Sequence, residues 1–408
     1  MQISRRGLLG AGVGAAAIGA AGGASAALAV ESAANPLHAA TASRPFWGAH
    51  QSGIADSSQD RAYIAVFDVT TSSAPDLKEL LDEWSRSTAR MTEGYGAGPL
   101  GPTSGDPLLP PDDTGEAIGL APHSLTITIG YGASLFRAEL GLDGAAPEGL
   151  TTMTAFAKDE LDPTQTGGDI VLQVCSSHDQ VAFHALRNLI RAAKGIAVPR
   201  WIQPGYVTTP TTDESPTPRN LFGFKDGTAN VAMDTAEADE FVWNYGSGLL
   251  DRGTLMAVRL FRFDIETWDR GSLTEQENVF GRTKRGGAPV TGGTEFSEPR
   301  FDQVNEDGSP VIDANAHVRL AHARQNNGAR ILRRGYNYSN GVDRVGRLDA
   351  GLIFVSFQKS LTEQFIPIQR RLADSDLLNE YVRAVGGGYF ACPGGLSTGQ
   401  GWGRQLFG

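Results

Sequence analysis

Asp226 is the one acidic residue of GFKDGTAN (residues 223–230), flanked by Gly223 and Gly227 in a stretch of mostly small or apolar side chains. A carboxylate in that setting reads as a surface Asp-Gly turn or as a proton-handling group aimed into a pocket. A second concentration of chemistry is NAHVRLAHARQNNGARILRRGYNY (residues 315–338), which holds His317, His322 and five arginines. One imidazole among many guanidiniums suits a single metal carried by an anionic cofactor. The imidazole binds the metal, and the guanidiniums pair with carboxylates of the carrier or with negative charge that develops during reaction. A basic loop with an exposed histidine is the plain alternative.

The other histidines offer less. His38 lies in a spacer, His123 follows a proline in a loop, His178 precedes a helix start, and His184 sits on the apolar side of a helix as a core histidine. His123 and His178 read as surface residues. HExxH, GxSxG, a Walker loop and a helix-opening GxGxxG are all absent, which removes support for zinc hydrolysis, acyl transfer, nucleotide hydrolysis and Rossmann-type redox chemistry. The glycine-rich GSGLL and VGGGYF stretches read as turns. A net charge of −11 with no Lys/Arg-rich run argues against nucleic-acid binding. Cys175 and Cys392 belong to no metal-binding pattern, and two unpaired buried thiols is the favoured reading over one bridge.

These groups need elements to position them. RAYIAVFDV (61–69) is strand-like, and Ser73 and Pro75 open a helix whose Leu77, Leu80, Leu81, Trp84 and Met91 share one face. SLTITIGYG (124–132) alternates as a half-buried strand. DIVLQVC (169–175) leads through Asp179, a candidate N-cap, into a helix ending near Gly195. The order β-α-β, β-α is the split pattern of a ferredoxin-like α+β domain. The Pro/Thr-rich segment 210–218 is the candidate linker. TLMAVRLFRFD, LTEQENVFGR, ILRRGYNY, GLIFVSFQ and a helix over 362–374 then form a second, similar series. The stretches 94–123 and 281–316 are longer than ordinary connections and so read as functional or wrapping segments.

PFWGAHQSGI (45–54), GFKDGTAN, AHVRLAHAR (316–324), ILRRGYNY (331–338) and GGGYFACPG (386–394) occur in this order. Together they resemble the dye-decolorizing peroxidases, in particular the exported branch that includes deferrochelatase/peroxidases. The resemblance runs from about residue 44 to the C-terminus. It implies two ferredoxin-like domains of the dimeric α/β barrel-like superfamily enclosing one heme b per chain, over residues 43–215 and 216–408. His317 is then the heme-iron ligand, and Asp226 and Arg333 are the distal catalytic pair. Gly227, Thr228, Ala229, His322, Ala323 and Arg324 line the cofactor. Arg333 is preferred to Arg334 because alternation from Leu332 puts it on the face opposite that apolar residue.

The same resemblance implies hydrogen peroxide and an organic, phenolic or dye-like electron donor as substrates. Iron-uptake proteins become expected partners, and a homo-oligomer stays open. Heme handling that releases or delivers iron is the alternative activity. Residues 1–42 read as a twin-arginine export signal and spacer: Arg5 and Arg6 precede a Gly/Ala-rich run without charge up to Glu31. That reading places the protein in the periplasm, at the cell surface or outside the cell.

Overall fold

The structure is a computed structural model that describes residues 43–211 and 215–408. The export-signal segment 1–42 and three residues of the candidate linker lie outside the described residues. The first half comprises β1 (Arg61–Val69), α1 (Ala74–Thr92), β2 (Thr126–Gly132), β3 (Ile170–Ser176), α2 (Asp179–Ala192) and β4 (Ala197–Tyr206). The second half begins with α3 (Ala236–Phe241), β5 (Thr254–Phe263), α4 (Ile265–Trp268) and α5 (Leu273–Phe280). It continues through α6 (His317–Ala321), β6 (Leu332–Arg333), β7 (Tyr336–Val342), β8 (Leu348–Gln358) and α7 (Ile366–Ser375). The chain ends with β9 (Val382–Cys392) and α8 (Trp402–Phe407).

Strand order in the first half is β2-β3-β1-β4 and in the second β9-β5-β8-β7, with the two-residue β6 sharing the β7 side of β8. Both are the ferredoxin-like arrangement. The halves join through β2–β9 and β4–β7, and β5 pairs with β8, so the strands run round a closed antiparallel ring. Inward-facing Ile64, Val66, Val171, Val258, Ile353, Val355, Phe357 and Phe390 fill that ring as one apolar core. The outer face of the first half is covered by α1 and α2. There Leu77, Leu80, Leu81 and Trp84 meet Leu186 and Leu189, all essentially buried.

Local sequence explains the helix starts. The Ser73 hydroxyl accepts from the Asp76 N–H at 3.3 Å and Pro75 fills the first turn, so α1 begins where its apolar face does. For α2 the N-cap is His178, so the helix starts one residue earlier than the capping pattern suggested and Asp179 lies inside the first turn. Two further corrections concern strands. VGGGYF (385–390) is not a turn but the middle of β9, where a side chain at Gly387 (φ 134°) would run into the Val258 carbonyl at 2.0 Å. β4 escaped the sequence reading because WIQPGY carries a proline and alternates exposed with buried residues.

The long loop 94–123 is clamped to α2 by a buried pair. His184 Nε2 lies 3.0 Å from both Asp113 oxygens, and Asp113 also accepts from the Ala97 and Gly115 N–H groups. Burial alone would raise the Asp113 pKa, but these donors outweigh it and hold it below the usual carboxylate range. A depressed carboxylate contributes stability above its unfolded pKa, and that stability is lost as pH falls through the folded value. The clamp is therefore expected to hold at neutral pH and release in acid. In a His184→Ala variant release should begin at a higher pH, read as amide exchange across residues 94–123.

Candidate functional site

The chemistry collects on the outer face of the second sheet. Alternation along β8 sends Ile353, Val355 and Phe357 into the ring and Leu352, Phe354 and Ser356 outward. Cross-strand pairing puts Phe261 opposite Leu352, Arg259 opposite Phe354, and Arg333 opposite Ser356. Leu332 faces the interior core, so Arg333 projects outward as alternation predicts. Its guanidinium donates to Asp226 Oδ1 at 2.9 Å, and both side chains are about a quarter exposed. Asn230 locks the backbone of Arg333 from both sides: its Oδ1 accepts from the Arg333 N–H at 2.7 Å and its Nδ2 donates to the Arg333 carbonyl at 2.8 Å.

Arg334 goes the other way. It is 3% exposed and donates to Gln59 Oε1 at 2.6 Å and to the Asp56 carbonyl. Two adjacent arginines thus serve two different sides of one sheet, and the one beside Asp226 is Arg333.

The Asp226 loop is built on a buried anchor that sequence reading missed. Glu295 accepts from Lys225 Nζ at 2.9 Å, Thr228 Oγ1 at 2.9 Å and Thr217 Oγ1 at 2.5 Å. Burial pushes the Glu295 carboxyl up, yet these donors pull it below its ordinary value, so it stays ionised. The Asp226 N–H donates to the Pro218 carbonyl at 2.8 Å. Gly223 and Gly227 sit at φ 83° and 132°, conformations that exclude most side chains. At Gly223 a side chain would also strike Lys284, so that glycine serves the loop itself. Thr228 spends its hydroxyl on Glu295, and Ala229 is exposed. Replacing Glu295 by Ala leaves a buried pair without one partner and is expected to cost on the order of 3–5 kcal/mol. A fall in melting temperature with loss of order in residues 217–230 would register it.

His317 opens α6. Its Nδ1 lies 2.6 Å from Asp376 Oδ2, and Asp376 is itself buried and receives the Leu378 N–H at 2.9 Å. This bond fixes the ring and leaves Nε2 as the nitrogen available to a metal. Burial draws the imidazole pKa down, but the Asp376 carboxylate more than offsets it, and the charges of Arg333 and Asp226 are also felt at the ring. The Phe280 ring stands edge-on to His317 at 5.9 Å. His322 caps the following turn, with Ala323 and Arg324 in it. His322 and Arg324 both reach Glu298, at 3.3 and 3.0 Å, so they ring the site without joining His317.

The family models for the N-terminal and C-terminal parts of Dyp-type peroxidases match residues 51–207 and 217–397. The chain belongs to the Dyp-type peroxidase family. It is 38% identical to the deferrochelatase of Escherichia coli strain K12 over 410 residues, spanning 96% of this chain and 94% of that protein. DtpA from Streptomyces lividans, solved as an oxyferrous complex and in the ferric state, superposes with a TM-score of 0.84 at 34% identity over 91% of this chain and 99% of that one. The Dyp-type peroxidase of Cellulomonas bogoriensis gives 0.81 at 36% identity over 89% and 98%. DyPB from Rhodococcus jostii shares the fold at 18% identity.

Dyp-type peroxidases are heme b enzymes that consume hydrogen peroxide and an electron donor. The residues present fit that group. Phe261, Leu352 and Phe354 lie in the middle of the sheet yet are only partly buried, an apolar floor that a flat macrocycle would cover. His317 offers one imidazole nitrogen, the type of ligand iron takes. Arg282, Arg324 and Arg330 all act electrostatically on His322 at the rim, where carboxylates of a heme would be met.

Proposed function

We propose that His317 holds the heme iron, and that Asp226 and Arg333 perform the peroxide chemistry of this Dyp-type peroxidase. The Arg333–Asp226 pair at 2.9 Å, on the same sheet face as the half-covered apolar floor, carries the reading. Heme, when bound, supplies the iron that takes up the oxidising equivalents of peroxide. Asp226 takes a proton from one peroxide oxygen and returns it to the other, which leaves as water with the electron pair of the O–O bond. Arg333 holds a fixed positive charge where that negative charge develops, and Asn230 keeps it there. The Glu295 anchor keeps the Asp226 loop from drifting. An absorption spectrum before and after one equivalent of hydrogen peroxide tests the whole assignment, since an unchanged Soret band would overturn it.

The donor is proposed to be phenolic or dye-like. A second reading, heme handling with iron-uptake partners, is favoured by one observation: the curated relatives are called deferrochelatase and align along nearly the whole chain. Incubating the heme-loaded protein with reductant and looking for metal-free porphyrin separates the two activities. Export by the twin-arginine route, before action outside the cytoplasm, completes the proposal and rests on Arg5, Arg6 and the uncharged run behind them. Changing both arginines to lysine should retain the folded protein in the cytoplasm, as judged by cell fractionation. Normal secretion of that variant would remove the twin-arginine assignment.

A further inference from the structure

The register between β2 and β3 brings together two histidines that take no part in the site above. Thr126 of β2 pairs with Cys175 of β3, so the residues just before β2 meet those just after β3. His123 and His178 occupy these positions, with ring centres 4.9 Å apart and planes inclined by 36°. One buried hydroxyl ties their backbones: Ser176 Oγ donates to the His123 carbonyl at 2.9 Å and accepts from the His178 N–H at 3.1 Å. The Ser177 N–H adds a second bond to the same carbonyl at 2.9 Å. His123 and Ser124 both adopt left-handed backbone, φ 46° and 55°, which non-glycine residues seldom do. His178 Nδ1 is shielded from solvent and has no hydrogen-bond partner.

We propose that His123 and His178 bind one borderline divalent cation of the cupric or zinc class. With metal–nitrogen bonds of about 2.0–2.1 Å, two imidazoles on one ion at a tetrahedral or cis-square angle hold their ring centres roughly 5 Å apart. The observed spacing matches that geometry and is too short for a linear two-coordinate ion. Neutral imidazole is the ligating form. Burial, and then the neighbouring His178, lower the proton affinity of His123. Both rings are half-buried, so an ion can enter from solution. Among the described residues no cluster of three or more His, Cys, Asp or Glu forms a metal set. Water would complete the coordination, and the ion would exchange, unlike one caged by four protein ligands.

The test is titration of the heme-loaded, full-length protein with cupric ion alone, followed by electron paramagnetic resonance and by competition with zinc. Wild type should take up one cupric ion showing two equatorial imidazole nitrogens and displaced by zinc. His123→Ala and His178→Ala should each weaken binding at least tenfold. Ser176→Ala keeps both ligands but loosens their spacing, and should weaken it several-fold. The peroxide reaction should be unchanged in all three, which reports intact folding. A His38→Ala control should bind as wild type. Equal cupric binding by wild type and the His123→Ala/His178→Ala double variant would overturn the site. So would a pair that merely titrates, with two separated imidazole pKa values and no metal-dependent signal.

Discussion

Arg333→Leu is expected to leave heme bound and to slow the reaction with peroxide by about 10²–10³-fold, the loss seen when one fixed charge-stabilising donor is deleted from an active site. The guanidinium touches Asp226 and is held through its own backbone by Asn230, so its removal leaves the strand and the loop in place. Asp226→Asn should also retain heme. Its loss is that of a proton shuttle, typically about 10²–10⁴-fold, with an ordered water able to restore part of it. The two substitutions should not multiply, because each also removes the partner of the other. The bimolecular rate of the peroxide-driven Soret change, in each single variant and in the double variant, measures this. Wild-type rates in both singles would show a pocket that holds heme without turning over peroxide, and heme handling would then become the leading activity.

His317→Ala is expected to yield folded protein with little or no Soret absorbance. Among the described histidines, His317 alone combines a carboxylate on Nδ1 with an exposed side of the ring, and it feels the charges of Arg333 and Asp226. His184 is consumed by Asp113, while His322 is turned to Glu298. His322→Ala should therefore keep the iron ligand and at most loosen the cofactor. The far-ultraviolet spectrum should match wild type, since α6 is short and the ring core does not include it. A normal Soret band and full turnover in His317→Ala would mean that another group binds the iron.

Local pattern made much of this legible. The apolar spacing of α1 and the outward turn of Arg333 after Leu332 follow from residue periods of 3.6 and 2, which the sequence displays directly; β2 is a strand as its alternation suggests, but it is buried along its whole length instead of half-buried. The Asp226 loop could be picked out because a carboxylate between glycines is unusual in an apolar stretch. What supports the site was not legible. Asp376 lies far along the chain from His317, and Glu295 sits in the middle of a long irregular segment; neither has a neighbour in sequence that marks it. Their roles arise from through-space pairing, and a single sequence carries no record of that. The β9 glycines misled for a related reason. Alone they resemble a turn, and only the approach of the Val258 carbonyl explains why a strand needs them.

The ring of strands sets a limit on how this enzyme can be dissected. A piece cut out near residue 210 would bare the strand edges where β2 now pairs with Phe390 and Ala391 of β9 and β4 with Asn337 of β7. Such edges recruit other chains. The cut piece would also leave Trp402 behind in the wrong company, since that fully buried indole belongs to the core of the opposite half and the Trp402 backbone N–H is held by the Ser85 hydroxyl. The half that carries His317 and Asp226 is therefore no minimal peroxidase. Heating should dismantle both halves in a single step, and a split gene should restore activity only when its two products are made together and knit during folding.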